Sequence, residues 1–302
     1  MPLNPQRTIA ELKELRCLTG DADGAQRVAF SDLWVAARKF LQGRIAQVPN
    51  VEAHRDPAGN LWATLRGQSE KALLIGGHID SVPNGGWLDG CLNTLAGLEV
   101  LRRIAEAFPA NNGAGGPPVT IRLVDWADEE GARFGRSLFG SSAFAGTLVP
   151  DDVRGLRDKD DVALPDALRS CDIDLDHALD ARQEQRGAAA YLELHIEQGP
   201  VLESKNLPMG VVLGTFGVER HAITFTGQAA HAGSTPMNQR QDALAGVSRL
   251  HLAIREIAVR HGGVCTVGSV ITKPGIVTAV VGEATMTLDQ RHLDVVTLAA
   301  MY

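Results

Sequence analysis

The sequence has no long apolar segment and no concentration of positive charge. Residues Met1–Arg16 are polar and charged, without the apolar region of a signal peptide, and no apolar stretch is long enough to span a bilayer. The formal net charge is −7, and lysine and arginine form no dense run. Nucleic acids and anionic membranes bind proteins through a concentrated positive field, so neither is an expected partner. The sequence therefore predicts a soluble cytoplasmic protein that acts on a small molecule.

Cysteine is scarce, and the four cysteines lie far apart without a CxxC pair. This spacing argues against a disulfide framework and against a thiolate metal site. We expect free thiols, mostly buried, at Cys17, Cys91, Cys171 and Cys265.

The first half of the chain has the pattern of an α/β protein. A length of 302 residues with 44% hydrophobic residues suits one domain plus part of a second. Two blocks of helical spacing predict an N-terminal helical layer, and a turn cluster at residues 56–60 predicts a hairpin. Two later apolar runs flank a helical stretch and a loop at Asn111–Pro118, which predicts a strand–helix–strand crossover in a parallel sheet. The expected helices are Thr8–Thr19, Phe30–Gln47 and Leu92–Phe108, and the expected strands are Val51–His54, Leu61–Leu65, Ala72–Gly77 and Val119–Trp126.

The second half changes character after Pro208. Before it, a polar, acid-rich segment precedes a third strand at Ala190–His195. We predict a catalytic domain at residues 1–208 and a partial α+β lid or dimerisation domain at residues 209–302. The expected fold class is α/β, with a mainly parallel sheet that has helices on both faces. The lid pattern comprises Gly210–Gly214, Glu219–Thr226, a helix at Arg240–Arg260, Gly263–Thr272 and Ala284–Asp289.

Histidine and carboxylate side chains follow the first predicted parallel strand. His78 and Asp80 come where this strand ends, which is where open α/β sheets bind ligands. In an extended chain the two residues point to the same side, so Asp80 can orient the imidazole of His78 toward a metal. A purely structural histidine is the alternative. Asp89 adds a second carboxylate directly before the next helix.

The other two predicted parallel strands end in similar groups. The acidic run Asp125–Gly131 contains the adjacent Glu129 and Glu130. Such a run can be a solvated loop, but its place after a buried strand brings it to the edge that carries His78. Adjacent carboxylates can divide the work, one binding a cation and the other taking a proton from metal-bound water. His195 follows the third strand, and a histidine and carboxylate set suits zinc, with manganese, cobalt or nickel as substitutes.

Four motifs in a fixed order make this pattern specific. They are GGHIDSVPNGGWLDG (76–90), DWADEEGARFGRSLFGS (125–141), LELHIEQGPVLE (192–203) and TGQAAHAGSTPMNQRQDAL (226–244). They resemble the co-catalytic zinc peptidase/amidase superfamily, and within it the branch of N-carbamoyl-L-amino-acid hydrolases, ureidopropionases and allantoate amidohydrolases. The resemblance implies hydrolysis of a non-peptide linear amide C–N bond by a metal-bound hydroxide. The implied substrate is an N-carbamoyl-L-amino acid or a related ureido acid, such as allantoate or ureidopropionate, and the implied assembly is a homodimer through the lid.

The resemblance also implies roles for the matching residues of the first domain. Glu129 would be the general base, and Asp80 would orient His78. Two divalent cations are implied, most often zinc. Their ligands would be His78 and His195 for the first, Asp89 as the bridge, and Glu130 for the second.

Three further residues match family positions, one of them catalytic (His231) and two of them substrate-binding (Gln198 and Arg291). Gln198 would hold the ureido group, and His231 would stabilise the tetrahedral oxyanion. Arg291 would clamp the substrate carboxylate, which suits a planar guanidinium. On the residues alone, His231 reads as a turn-capping histidine and Arg291 as a solvated arginine.

The chain departs from the family pattern at two local positions. In Pro274–Gly282, Thr278 stands where the family has a substrate-binding asparagine. A threonine lacks the paired donor and acceptor of an amide, so we expect weaker or altered carboxylate binding. Beside Asp89, the segment Gly90–Thr94 is more polar than the small apolar residues usual in the family.

A third departure concerns the second cation. The chain ends at Tyr302, in an expected lid helix, before the segment from which relatives supply a histidine to that cation. We therefore expect an incomplete second site. The alternatives left open are an inactive truncated remnant that binds at most one metal, and an aminopeptidase or dipeptidase of the same superfamily. No motif of the required kind surrounds His221, His251, His261 or His292.

Overall fold

A computed structural model describes residues 2–109 and 116–302. Most of the loop predicted at residues 111–118 lies outside the described residues. The chain divides into two compact units, Met1–Pro200 and Val201–Tyr302. The domain boundary predicted between residues 208 and 209 falls inside the second unit and stays a prediction.

The first unit contains a five-stranded sheet with the order β1-β2-β4-β3-β5. Strand β2 is antiparallel to β1 and β4, whereas β3 is parallel to β4 and β5. Four strands therefore run in one direction and β2 in the other, which confirms the mainly parallel sheet. The strands are β1 (Val51–Arg55), β2 (Leu61–Leu65), β3 (Ala72–His78), β4 (Thr120–Trp126) and β5 (Ala188–Leu192).

Helices cover both faces of this sheet because its central strands are apolar on both sides. Along β4, Ile121 and Leu123 lie in the larger apolar core, which the first three helices line, while Val124 and Trp126 lie in a smaller core with Phe144 of the fourth helix. The helices are α1 (Pro5–Thr19), α2 (Asp32–Ile45), α3 (Cys91–Ala107), α4 (Phe139–Ala145), α5 (Pro150–Arg154) and α6 (Leu164–Ser170), followed by a 3-10 helix at Leu175–Gln185.

A buried turn in the hairpin of β1 and β2 holds the loop that follows β4. The carboxylate of Asp56 accepts hydrogen bonds from the backbone N–H groups of Ala58 and Asn60 and from the side chains of Asn60 and Trp62. The amide oxygen of Asn60 then accepts the backbone N–H of Ala127 at 2.9 Å. The hairpin turn thus holds the start of the acidic segment after β4 through the hydrogen bond to Ala127.

The second unit is α+β, as the lid pattern predicts. Its three-stranded antiparallel sheet has the order β6-β10-β8, and α8 packs on one face through a small apolar core. Residues 210–214 form neither helix nor strand and are exposed, so that part of the expected pattern is wrong: within the described residues, no strand pairs with this apolar run. The elements are α7 (Val201–Ser204), β6 (Gly217–Thr226), β7 (Ala230–His231), a 3-10 helix at Met237–Gln239, α8 (Ala243–His261), β8 (Val264–Lys273), β9 (Ala279–Val280), β10 (Glu283–His292) and α9 (Val295–Ala300).

No helix in the described parts of the chain combines the length and apolar character needed to cross a membrane.

A buried ion pair joins α2 to the end of β4. Arg38 Nε donates to Asp125 Oδ2 at 2.8 Å, and both side chains are almost fully buried. The same guanidinium donates to the carbonyls of Asp125 and Gly59 and lies 4.3 Å from the centre of the Trp34 ring. Arg38 therefore ties the helical layer to the strand that leads into the acidic loop.

Asp125→Ala is expected to lower the free energy of unfolding by about 3–5 kcal/mol, because it leaves a buried guanidinium without its charge partner. Urea denaturation of the metal-free protein measures this change. The matched control is Glu52→Ala, which removes an ion pair 3.4 Å from Arg66 whose glutamate is 68% exposed; there we expect a change below about 1 kcal/mol. Equal losses in the two variants would contradict this account of Arg38.

Candidate metal centre

The carboxyl ends of the parallel strands bring the predicted ligands together. His78 is the last residue of β3, Asp89 lies two residues before α3, and His195 comes three residues after β5. Strand β5 corresponds to the strand predicted at Ala190–His195, but it ends at Leu192. His195 therefore lies in the segment that follows the strand. Ligand atoms of His78, Asp89 and His195 all lie within 4.8 Å of one another. This is the edge at which an open α/β sheet binds its ligands.

Gly90 allows the chain to pass close to His78. Its φ of +64° is a conformation that side chains rarely adopt. A Cβ atom at this position would lie 2.3 Å from the carbonyl oxygen of His78 and 2.5 Å from its Cε1. The glycine therefore permits Asp89 to stand beside the imidazole at the start of α3.

The carboxylate of Asp89 is fitted for a cation. Its Oδ2 accepts a hydrogen bond from Gln198 Nε2 at 2.6 Å. Its Oδ1 is buried, has no hydrogen-bond partner within residues 2–109 and 116–302, and lies 3.6 Å from His195 Nε2. A buried carboxylate oxygen without a partner is costly in free energy, and two imidazoles with a carboxylate are a ligand set that divalent transition metals favour. The donor set therefore fits a metal ion.

The environment of His78 selects the nitrogen that faces the cluster. Its Nδ1 lies 3.1 Å from the carbonyl oxygen of Asp80 and 3.6 Å from Asp80 Oδ1. A carbonyl can only accept, so Nδ1 carries the proton of this hydrogen bond and Nε2 is left for a ligand. Nε2 lies 3.7 Å from Glu129 Oε2.

Asp80 joins two of the strand ends. Its carboxylate is buried and accepts the backbone N–H groups of Glu129 at 3.3 Å and of Glu130 at 3.1 Å. Through its carbonyl the same residue contacts His78. Asp80 therefore holds the acidic loop after β4 against the end of β3.

Burial and crowding raise the pKa of the acids in this loop. For Glu129 and Glu130 burial is the main cause, His78 opposes it, and the charges of Asp80 and Asp89 add to it. Burial and the charge of Asp80 also raise the pKa of Asp128 well above its usual range. Charge repulsion among these carboxylates favours either bound protons or a bound cation.

Two residues of the site had no role assigned from the sequence. Asn93, in the first turn of α3, donates from Nδ2 to Glu193 Oε1 at 2.5 Å, although the two are 100 positions apart. Glu193 also accepts from the hydroxyl of Tyr191 at 2.7 Å. The unusual polarity of the Gly90–Thr94 segment was a sequence signal for Asn93. No local sequence pattern indicates that Glu193 is its partner.

The second unit contains the other three predicted residues. His231 Nδ1 accepts from the backbone N–H of Gly233 at 3.1 Å and lies 3.2 Å from the hydroxyl of Ser234. The pairing of β7 with β9 brings Thr278 nearby, where its carbonyl accepts the N–H of Ala232 at 2.9 Å. Arg291 donates through two nitrogens to Asp289, at 2.7 and 3.3 Å. The assigned roles of His231, Thr278 and Arg291 stay predictions.

Alanine in place of His78, Asp89 or His195 is expected to remove high-affinity binding of Zn²⁺ or Co²⁺. The loss should at least equal the roughly 10–100-fold drop typical when an outer partner of a ligand is removed. Competition against a chromophoric chelator measures the affinity. His177→Ala is the control, because His177 is exposed and pairs with the nearby, exposed Asp180 at 3.3 Å. Retained affinity in all three ligand variants would refute the cluster as a metal centre.

The metal-free protein is expected to lose stability as the pH rises from about 6.5 toward 10. Burial alone would lower the pKa of His78, but the hydrogen bond and charge of Asp80 and the charges of Glu129 and Asp89 raise it to about 10. A group with a raised folded-state pKa stabilises the protein fully below its unfolded value, and this contribution disappears as the pH passes the folded value. Urea denaturation across this range should show a weaker pH dependence in His78→Ala. An unchanged dependence would argue against a charged His78.

The comparisons with known proteins agree with this geometry. The sequence model that represents peptidase family M20/M25/M40 matches residues 74–297 of this chain. The allantoate amidohydrolase of Escherichia coli (strain K12) is 36% identical over 282 residues, which cover 92% of this chain and 66% of that protein. An N-carbamoyl-L-amino acid amidohydrolase of Geobacillus stearothermophilus is 39% identical over 243 residues, which cover 80% of this chain and 58% of that protein.

A solved structure extends the likeness to the fold. The crystal structure of a hydantoinase/carbamoylase family amidase from Burkholderia multivorans aligns with a TM-score of 0.83 and 32% identity, over 99% of this chain and 71% of that one. The match covers 66% of the length of the Escherichia coli relative and 58% of that of the Geobacillus stearothermophilus relative, so this chain spans only part of either protein. The family match covers most of the residues, including all three that form the cluster, and the chain belongs to peptidase family M20/M25/M40.

Proposed function

We propose that this chain carries the metal-binding part of an amidohydrolase that cleaves a linear, non-peptide amide C–N bond. The observation that carries the proposal is the cluster of His78, Asp89 and His195 beside Glu129. The proposed substrate is an N-carbamoyl-L-amino acid or a related ureido acid, such as allantoate or ureidopropionate. The names of the relatives support this substrate class.

The three cluster residues would hold the first cation, for which zinc is the best fit and manganese, cobalt or nickel are substitutes. When bound, such a cation supplies Lewis acidity that polarises the scissile carbonyl and acidifies water. Glu129 would accept the proton of the attacking water. Its pKa is raised chiefly by burial, and a base is most effective when its pKa approaches the working pH.

We assign Glu130 and Asp89 to a second cation. Glu130 follows Glu129 directly, and its backbone is held by the Asp80 carboxylate. The carboxylate of Asp89 has one oxygen for the first cation and a second one that now accepts from Gln198. Gln198 is therefore close enough to the cluster to hold the ureido group of a substrate.

The remaining assignments concern the second unit. We propose His231 for oxyanion stabilisation and Arg291 for the substrate carboxylate, with Thr278 as a weaker substitute for an amide. The assignment of Arg291 is supported by its two hydrogen bonds to Asp289, because a guanidinium that donates through two nitrogens suits a bidentate carboxylate contact. We further propose a homodimer through this unit, because β6 and β8 are edge strands of its sheet and edge strands are natural pairing surfaces.

Purified chain loaded with Zn²⁺, Mn²⁺ or Co²⁺ is expected to release ammonia from at least one member of a panel of N-carbamoyl-L-amino acids, allantoate and ureidopropionate. Glu129→Gln should lower turnover by about 10²–10⁴-fold, because it removes the proton acceptor, while the metal content stays unchanged. Glu52→Gln is the control, since its carboxylate lies at the surface on the edge strand β1.

The outcomes of this panel separate the alternatives. Turnover of dipeptides instead of ureido acids would indicate an aminopeptidase or dipeptidase of the same family. One bound metal without any turnover would favour a single-metal binding protein. A single-metal binding protein is supported by one observation: the described residues contain one cluster of three possible ligands.

A further inference from the structure

The first turn of α3 contains two polar side chains in a buried position. Asn93 is 1% exposed and Thr94 is not exposed at all. They follow Asp89 by four and five positions. Buried polar groups are unfavourable unless they form hydrogen bonds, so the partners of these two residues are informative.

Asn93 connects α3 to the segment that carries His195. Its Nδ2 donates to Glu193 Oε1 at 2.5 Å, and Glu193 lies two residues before His195. The other carboxylate oxygen of Glu193 accepts from the Tyr191 hydroxyl, which in turn accepts from Trp126 Nε1 at 3.1 Å. One chain of hydrogen bonds thus runs from the helix that begins after Asp89, through the end of β5, to the end of β4.

Thr94 connects the same turn of α3 to the residue that carries the first imidazole. Its hydroxyl lies 3.2 Å from the carbonyl oxygen of Gly90 and 3.4 Å from that of His78. Its single proton can serve either acceptor. The hydroxyl therefore lies between the end of β3 and the residue that follows Asp89.

A glycine in β3 allows Asn93 and Glu193 to lie close to the strand. A Cβ atom on Gly77 would lie 2.5 Å from Asn93 Cβ and 3.1 Å from Glu193 Oε1. Gly77 therefore permits the strand, the asparagine and the glutamate to meet at one point.

A role in stability alone does not account for Asn93. Its Oδ1 is buried and has no hydrogen-bond partner in the described part of the chain, and an unpaired buried acceptor costs about 1–3 kcal/mol. An apolar side chain of similar size would avoid that cost. What the amide adds is a directed link to Glu193.

We propose that Asn93 and Thr94 are positioning residues of the metal centre. Asn93, through Glu193, fixes the distance between Asp89 and His195, and Thr94 fixes the start of α3 against His78. The inference rests on the proposed function in one respect, namely that the cluster binds a cation.

The test measures Co²⁺ affinity and the visible absorption spectrum of the Co²⁺-loaded chain. Asn93→Ala and Thr94→Val are each expected to weaken binding by roughly 10–100-fold, as outer partners of metal ligands do, and to alter the spectrum. Glu193→Ala should reproduce the effect of Asn93→Ala, and the double variant should show little further loss, because both remove one contact. Glu193→Gln keeps an acceptor oxygen and should stay near the original affinity.

Thr120→Val is the matched control for Thr94→Val. Thr120 is buried and its hydroxyl also donates to a backbone carbonyl, that of Ser69, but it lies at the opposite end of β4. Urea denaturation of every metal-free variant separates a loss of stability from a loss of positioning. Unchanged Co²⁺ affinity and spectrum in Asn93→Ala and Thr94→Val would overturn the inference, as would equal losses in Thr120→Val. Failure of the unmodified chain to bind Co²⁺ would refute the proposed function itself.

Discussion

Negative charge crowded around one buried histidine is the constraint on which the site depends. Burial and neighbouring carboxylates raise the pKa of Asp128, Glu129 and Glu130, and carboxylates also raise that of His78. Without a cation, protons must balance this charge. A divalent cation would balance it more effectively, because it would be the largest local charge in such a site and would release the protons on binding. The buried Oδ1 of Asp89, which has no hydrogen-bond partner among the residues that the structure describes, would be available to it.

Rigid elements of the fold hold these charged groups close together. The groups that must approach one another extend from buried strand ends and from the start of a helix, where packing limits their motion. Arg38 holds the end of β4 through a buried ion pair, Asn60 holds the next turn through Ala127, and Asp80 holds the acidic loop itself. Each of these polar residues contacts backbone as well as side chain, so each secures the path of the chain.

Much of this site follows from local sequence, because a buried strand followed by a polar residue predicts a group at the sheet edge. This pattern places His78, the acidic segment after β4 and His195 at the same edge, and the family motifs assign their roles. Other features depend on contacts that no local pattern records. The link from Asn93 to Glu193 joins positions 100 residues apart. The sequence predicts an end of β5 that is too late, because the alternation of apolar and polar residues continues through Leu194 and Ile196 after strand pairing stops at Leu192.

Gln198 shows how binding and catalysis would be linked at Asp89. Its amide donates to Oδ2, from a backbone with a φ of +56° that non-glycine residues seldom adopt. An ionised carboxylate has about four lone-pair sites on its two oxygens, so Asp89 can accept from Gln198 and still present Oδ1 to a cation. If Asp89 holds a cation as proposed, the hydrogen bond from Gln198 would orient its carboxylate for that cation. One side chain would then act both at the metal and at the ureido group of the substrate.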